Sequence, residues 1–232
     1  MWHNVSRETG GWRLETGLLV SSLQSLVPFI LLILLLTACT HVPPVVKIGL
    51  VAPFEGRYRE IGYDVIYSAR LAVREINQAG GISGYRVALV ALDDGGNVEL
   101  AQATAESLTL DPAVVVVMGH WLTATTAVAA PIYAEAGISF IAMNQPPFLP
   151  HNPAQLPAAF RTAYEAVTPF DEVASDYAGV TYDALQLVWL GMARGMEMEN
   201  GRLTRQSVMK GLDGLEYEGI TGRVYWRLET GD

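Results

Sequence analysis

Residues 45–53 read VVKIGLVAP, a short apolar run that a proline closes. A run of this length, without alternation between polar and apolar residues, is typical of a strand buried on both faces of a parallel sheet. Proline cannot donate a hydrogen bond to a neighbouring strand, so the strand is expected to end before it. We therefore predict a first strand over residues 45–52.

The residues after this strand have the spacing of a helix. Beyond the polar loop 54–60, apolar side chains recur at intervals of three and four, which marks one helix face. Gly80 and Gly81 end the pattern, as glycines commonly do at a helix C-terminus. The apolar positions are Val65, Ala69, Ala72, Val73 and Ile76.

The same alternation of strand and helix continues to residue 142. Asn97 is placed to cap a second helix, and a run of four valines precedes Met118 in the third strand. Strands that alternate with helices through short turns indicate right-handed crossovers and a doubly wound parallel sheet of the α/β class. The predicted elements are strands at 85–92, 113–118 and 138–142 and helices at about 98–110 and 125–136.

The pattern breaks between residues 144 and 157, where five prolines exclude a regular element. Beyond this segment, helices are predicted at 159–166 and 177–194. Thr204 is a candidate cap for a further helix through Leu212, and the last residues, 223–228, have the pattern of a strand.

The N-terminus carries a different signal. Residues 17–36 are apolar, basic residues precede them, and Leu36-Thr37-Ala38-Cys39 follows, which is the order of a secretory signal. This run resembles the lipobox of bacterial lipoproteins, which implies lipidation of Cys39 and removal of residues 1–38. The alternative is a transmembrane anchor, because the apolar stretch is long enough to span a bilayer. Both readings place the domain outside the cytoplasm.

Charge and motifs exclude several classes of function. The formal net charge is −9 and the basic residues are scattered, which argues against a nucleic-acid partner. The nucleophile elbow, the dinucleotide-binding glycine motif and the phosphate-binding loop are all missing, so no catalytic residue is assigned. Cys39 is the only cysteine, and no metal site or cofactor is expected.

Several short motifs, taken in order, resemble one family: the type I periplasmic solute-binding proteins of the branched-chain amino acid group. The resemblance covers most of residues 47–232 and implies two α/β lobes that close over a ligand like a hinge. Here, however, a proline-rich stretch stands where most of the second lobe is expected. The motifs are KIGL at 47–50, EINQAGGI at 75–82, LDD at 92–94, VMGH at 117–120, TYDAL at 181–185 and GITG at 219–222.

This resemblance predicts a domain organisation with a truncated second lobe. Residues 39–46 are a tether, 47–143 the ligand-binding first lobe, and 144–158 a proline-rich linker. Residues 159–232 are a remnant of the second lobe together with crossover elements. The sequence therefore predicts a doubly wound lobe of the type I periplasmic binding protein kind.

The resemblance also implies where a ligand binds. The loop after the third strand leads into a helix N-terminus, whose free N–H groups and positive dipole end suit a carboxylate. Thr123 best matches the family's hydroxyl position, with Ala124 and Thr125 beside it, although Thr123 or Thr125 as a simple helix cap is the alternative. Trp121 is a candidate to stack on a ligand, or else is buried against the helix.

The remaining candidates come from two further loops. Asn144 and Gln145 follow the fourth strand, where the family places a group that faces the ligand ammonium; a polar turn is the plain alternative. Tyr58 and Ile61 lie near the family position that walls the cleft, and a surface tyrosine and an apolar helix contact explain them nearly as well.

Four other polar residues receive structural readings. We interpret Asp93 and Asp94 as a solvated acid pair in a loop and His120 as structural, since it has no partner at metal spacing. Asp183, on the long helix, is interpreted as a surface charge.

The function expected from these observations is an extracytoplasmic substrate-binding lipoprotein of an ABC importer. Its ligand is an amino acid or a related small polar solute, and its partners are permease subunits and, through the lipid, the membrane. One alternative is an extracellular lobe that senses a ligand. The other is a truncated family member without a working cleft, because one lobe lacks the contacts of its partner.

Overall fold

The computed structural model describes residues 42–228. The strands are β1 (Val45–Ala52), β2 (Arg86–Asp93), β3 (Val114–Gly119), β4 (Ser139–Ala142), β5 (Leu215–Gly219) and β6 (Gly222–Trp226). The helices are α1 (Arg59–Gln78), α2 (Val98–Thr109), α3 (Thr123–Glu135), α4 (Ala158–Glu165), α5 (Ala178–Met198) and α6 (Arg205–Leu212).

Four strands form one parallel sheet in the order β2-β1-β3-β4. These strands are apolar because helices cover both faces of the sheet, as the sequence predicts. Every residue of β3 is buried. The chain moves from β1 to β2 on one side and then to β3 on the other, so the strand order reverses at β1. This confirms the predicted doubly wound α/β fold.

The two faces of the sheet have separate cores. On one face, Ile48 and Leu50 of β1 lie in a cluster with α1 and α5 residues such as Val65 and Leu185. On the other face, Val51 belongs to a cluster with residues of α2 and α3, among them Leu108 and Tyr133. Alternate residues of one strand therefore contribute to different cores.

The C-terminal region packs directly on this sheet layer. The hydroxyl of Ser68 in α1 donates to the carbonyl of Ala178 at 2.6 Å, and the hydroxyl of Tyr182 donates to Glu75 at 2.7 Å. The indole of Trp226 donates to the carbonyl of Phe140 in β4 at 2.9 Å. Residues 159–228 thus cover one side of the first sheet, while their assignment to a second lobe stays a prediction.

Some predicted boundaries need correction. The tether predicted over 39–46 is too long at its C-terminal end, because β1 begins at Val45. Helix α3 begins at Thr123, two residues earlier than predicted, because Leu122 is the last extended residue. The predicted strand at 223–228 is one arm of the β5–β6 hairpin. The first arm was missed because its residues, Leu215–Gly219, alternate only between exposed and partly buried.

Within residues 144–157 the only regular element is the short 3-10 helix Pro153–Gln155, as the prolines predict. Among residues 42–228, no helix combines the length and the apolar character that crossing a membrane requires. The predicted signal segment 1–38 and Cys39 lie outside the described residues.

Candidate functional site

The predicted binding residues lie at the edge of the sheet where the parallel strands end. In open α/β sheets, ligands bind outside the carboxyl ends of the strands, at the point where the strand order reverses. Here that point is the crevice between β1 and β3, which the loops after β1, β2 and β3 border. The fold therefore places the candidate site in the expected crevice.

The N-terminus of α3 lies at this edge of the sheet and carries no side-chain cap. Leu122 occupies the cap position with φ −114° and ψ 141°, and an aliphatic side chain cannot accept a hydrogen bond. The hydroxyl of Thr125 instead donates to the carbonyl of Leu122 at 3.0 Å. The reading of Thr123 or Thr125 as the helix cap is therefore wrong.

Three backbone donors remain available at this helix end. The N–H of Thr126 donates to Leu122 at 2.9 Å and so begins the helical bonding. Within residues 42–228, the N–H groups of Thr123, Ala124 and Thr125 have no hydrogen-bond partner. The side chains of Thr123 and Ala124 are exposed, while Thr125 is buried. Together with the helix dipole, these donors make a site suited to an anion.

Gly96 brings two loops of the crevice together. A Cβ atom at this position would lie 2.8 Å from the ring of Tyr58 and 2.9 Å from the side chain of Leu122, so no larger residue fits. Gly96 also has φ +69°, which a side chain disfavours. The half-buried ring of Tyr58 is thereby placed close to the start of α3. Ile61 is partly buried and packs against the core.

Trp121 and Asn144 each present a buried polar atom without a partner. Trp121 is only 5% exposed, and neither its Nε1 nor Oδ1 of Asn144 has a hydrogen-bond partner within the described part of the chain. The N–H of Met143 donates to the carbonyl of Gly119 at 3.0 Å, which holds Asn144 beside the end of β3. Gln145 is exposed. Buried unpaired polar atoms are costly, and a bound ligand is one way to satisfy them.

Asp93 holds the loop after β1. Its Oδ1 accepts hydrogen bonds from the N–H groups of Phe54 at 2.7 Å, Glu55 at 3.3 Å and Gly95 at 2.9 Å. This loop leads into Tyr58, so the carboxylate fixes one wall of the crevice. Asp93 is therefore not a freely solvated acid.

Asp94 and His120 form a buried network behind the site. Oδ2 of Asp94 lies 2.7 Å from Nδ1 of His120, and Nε2 of His120 lies 3.3 Å from the hydroxyl of Tyr133. Oδ1 of Asp94 also accepts from the N–H of Gly96 at 2.9 Å. Burial raises the pKa of Tyr133, so its hydroxyl stays protonated at neutral pH. The reading of Asp94 as a solvated acid is wrong, because it is fully buried.

The chemistry of the crevice is that of binding. It offers backbone N–H groups, a threonine hydroxyl, an amide oxygen and aromatic rings, which orient a small polar ligand. Within residues 42–228, no three His, Cys, Asp or Glu side chains are grouped so that they could hold a metal ion.

Comparison with known proteins identifies a family for part of the chain. Residues 45–156 match the family described as periplasmic binding protein. The amino acid binding protein of Pseudomonas aeruginosa is 35% identical over 99 residues, 43% of this chain and 26% of that protein. The Leu/Ile/Val-binding protein of Escherichia coli K12 is 31% identical over 96 residues, 41% of this chain and 26% of that protein.

Solved structures show the same fold at low sequence identity. The branched-chain amino acid transporter substrate binding protein LivJ from Streptococcus pneumoniae, in complex with isoleucine, aligns with a TM-score of 0.65 at 15% identity, covering 78% of this chain and 91% of that chain. A solute binding protein of an ABC transporter from Rhodopseudomonas palustris BisB5, in complex with 3,4-dihydroxybenzoic acid, gives 0.63 at 13% identity, covering 80% and 90%. In sequence, the chain spans about a quarter of the length of the curated relatives it matches.

Proposed function

Because residues 45–156 of this chain belong to the type I periplasmic binding proteins of the branched-chain amino acid family, we propose that it is an extracytoplasmic substrate-binding lipoprotein of an ABC importer. Its ligand is an amino acid or a related small carboxylate, held in the crevice between β1 and β3. Its function is to bind a solute and present it to permease subunits, without chemical conversion.

The uncapped N-terminus of α3 carries this proposal. A ligand carboxylate at this end accepts hydrogen bonds from the N–H groups of Thr123, Ala124 and Thr125, which lack partners among the described residues. The exposed hydroxyl of Thr123 is a further donor. Charge-assisted hydrogen bonds to backbone N–H groups are stronger than neutral ones, and the helix dipole adds to them.

The other candidate residues complete the ligand contacts. Oδ1 of Asn144 is a buried acceptor without a partner in the described residues, which is the group that a ligand ammonium requires. The ring of Tyr58 and the indole of Trp121 border the ligand, and Nε1 of Trp121 donates to it. Ile61, which is partly buried, contributes to the apolar wall, and the exposed Gln145 contributes to the rim.

The proposed location, at a membrane and outside the cytoplasm, rests on the N-terminal sequence. The Leu-Thr-Ala-Cys run ending at Cys39 supports processing at that cysteine and a diacyl anchor, which binds a membrane stably because it supplies two chains. Periplasmic binding proteins act outside the cytoplasm, and an anchored chain stays near its permease partners.

The affinity is expected to be modest. A ligand in this crevice is contacted by one sheet layer, whereas tight sites bury most of the ligand surface. From the contacts of this layer alone, a dissociation constant of about 0.1–1 mM is expected. The two alternatives, a sensing lobe and a member without a working cleft, share this geometry.

Calorimetric titration of the full chain in detergent tests the proposal. The probes are isoleucine and 3,4-dihydroxybenzoic acid, the carboxylates held by two structural neighbours. We expect both to bind through α3 and isoleucine to bind more tightly, because only its ammonium meets Asn144. No heat from either probe at millimolar concentration contradicts the proposed site and favours a chain without a working cleft.

A further inference from the structure

A basic cavity lies at the opposite edge of the sheet from the candidate site, where the strands begin. Its volume is about 520 Å³, and its lining includes Arg74 near the end of α1 and Arg86 at the start of β2. Pro43, which leads into β1, lines the same cavity. Both arginine side chains are exposed to solvent.

Neither arginine is used by the fold within residues 42–228. The last carbonyls of α1 accept from its own backbone, with Gly81 donating to Ile76 at 2.8 Å and Gly80 to Asn77 at 3.2 Å. No carboxylate among the described residues pairs with Arg74 or Arg86. Two unpaired guanidinium groups that line one cavity favour an anion, and their geometry matches phosphate.

The acids at this edge do not cancel that charge. Asp111 is paired with Lys47 at 2.6 Å and Glu199 with Lys210 at 2.5 Å. Glu135 is exposed at the end of α3, which leads to β4, whereas Arg86 begins β2 at the other end of the sheet. The described lining of the cavity thus includes two arginines and no acidic residue, although the chain as a whole is acidic.

An apolar residue projects from the same edge. Leu110, between α2 and β3, is 83% exposed. An exposed leucine and unpaired arginines at one edge of a sheet are the combination that a membrane surface accommodates, with the charges at the phosphates and the apolar side chain at the acyl boundary.

The position of the proposed lipid anchor indicates that a membrane surface occupies this edge. Pro43 is four residues after Cys39, and an extended chain spans at most ~3.6 Å per residue, so the cavity lies within about 14 Å of an anchored cysteine. We infer that the amino edge of the sheet faces the membrane, with Arg74 and Arg86 binding the phosphate of an anionic lipid headgroup and Leu110 inserted into the bilayer at the same edge. This orientation rests on the proposed lipidation of Cys39.

Site-directed fluorescence on the full lipidated chain tests this orientation. Lipidation consumes the thiol of Cys39, so Leu110→Cys supplies the only reactive thiol for a polarity-sensitive nitrobenzoxadiazole label. The chain is reconstituted into vesicles of phosphatidylcholine alone or of equal parts phosphatidylcholine and phosphatidylglycerol. We expect a blue shift, and quenching by spin-labelled lipid, with the anionic vesicles.

A matched label controls for exposure. Phe170→Cys carries the probe at a side chain that is 82% exposed, in the loop before α5. That loop is held near the start of α1 by the N–H of Ser175, which donates to Asp64 at 2.9 Å, and so lies toward the site edge. The label at position 170 is expected to report water in both vesicles.

Charge variants test whether the arginines bind the lipid headgroup or only lie close to the membrane. In Arg74→Gln/Arg86→Gln, the ratio of docked to undocked label should fall about fivefold for each arginine removed. Arg57→Gln/Arg59→Gln, at the site edge, should leave it unchanged. Circular dichroism confirms that each variant is folded.

The outcomes are distinguishable. Mass spectrometry and vesicle flotation report lipidation, and a chain without the diacylglycerol adduct overturns both the anchor and this orientation. A lipidated chain whose label at position 110 behaves like the label at 170, or ignores anionic lipid, overturns the orientation and leaves the proposed anchor standing.

Discussion

The carboxylate of Asp94 lies 2.7 Å from Nδ1 of His120, and solvent reaches neither side chain. Asp94 follows β2 and His120 follows β3, so this contact joins two of the loops that border the crevice. Because the carbonyl of His120 also accepts from the hydroxyl of Thr126 at 3.2 Å, the contact fixes the first turn of α3. The pair holds the donors of the site in place.

Removing Asp94 should therefore destabilise the whole domain. Asp94→Ala leaves the buried Nδ1 of His120 and the partly buried N–H of Gly96 without partners, and we expect the free energy of unfolding to fall by about 3–5 kcal/mol. Asp94→Asn keeps one acceptor and should cost less. Urea denaturation followed by circular dichroism measures both. Asp176→Ala, at an exposed position, is the control and should change stability by less than about 0.5 kcal/mol.

The same pair shows where sequence reasoning ends. The strands and helices were predictable because the apolar spacing that buries a side chain is local. Asp94 was read as solvated because its neighbours are turn residues, whereas its burial depends on His120, 26 positions away. Free N–H groups at the start of the helix after β3 were expected, but Leu122 at the cap position was not, because the alternative interpretation placed Thr123 or Thr125 there.

Asp183 was misread for a related reason. Its position on a helix gave no sign that the hairpin turn would reach it, yet its carboxylate accepts from the N–H groups of Ile220 at 2.9 Å and Thr221 at 2.8 Å. Gly219 permits this approach, because a Cβ there would overlap the carboxylate. Asp183, interpreted as a surface charge, is buried and connects α5 to the hairpin through these hydrogen bonds.

The pH dependence of stability should reflect the buried acids. Burial raises the pKa of Asp64 and of Asp183 above the ordinary value of 3.8, against the effect of their hydrogen bonds. The folded chain then holds protons that the unfolded chain releases, so stability falls as pH rises above about 4 through the folded-state pKa. In Asp64→Asn, the decline over this window should be shallower than in the parent chain, as measured by urea denaturation at several pH values.

Asp111→Asn is a control, because the pKa of Asp111 is shifted in the opposite direction. Its hydrogen bond with Lys47 lowers the pKa of Asp111, so this carboxylate stabilises the fold above pH 3.8 and loses that effect on acidification. The variant should lose stability at neutral pH and little at acid pH. Identical slopes for all three proteins would show that these carboxylates do not control the pH response.

Arg205 should be irreplaceable by lysine. Its guanidinium donates to the carbonyls of Thr109 at 3.0 Å, Asp111 at 2.9 Å, Val114 at 3.0 Å and Ala136 at 3.2 Å, which ties α6 to the ends of α2 and α3. An ammonium cannot donate in four fixed directions, so Arg205→Lys should lower the free energy of unfolding by about 2–4 kcal/mol. Arg202→Lys, at the exposed neighbouring position, should be close to neutral. Equal stability of the two variants would contradict this role.

The binding role of the backbone at α3 can be tested at one position. Proline is well tolerated at the first position of a helix, and the extended Leu122 suits the residue before a proline. Thr123→Pro therefore keeps the helix but removes both a backbone donor and a hydroxyl, whereas Thr123→Ala removes the hydroxyl alone. We expect isoleucine to bind about 10–100-fold more weakly to Thr123→Pro, since a hydrogen bond to a charged group contributes about 1.5–3 kcal/mol.

The two variants together assign the contribution of each donor. If the hydroxyl alone holds the carboxylate, Thr123→Ala and Thr123→Pro lose the same affinity, and the backbone site is refuted. If the helix end binds it, Thr123→Ala loses only part of what Thr123→Pro loses. Urea denaturation of both variants, expected to differ by less than about 0.5 kcal/mol, separates a lost donor from a lost fold. Because the substitution lies at an exposed helix start, an altered affinity at unchanged stability can be ascribed to the donors themselves.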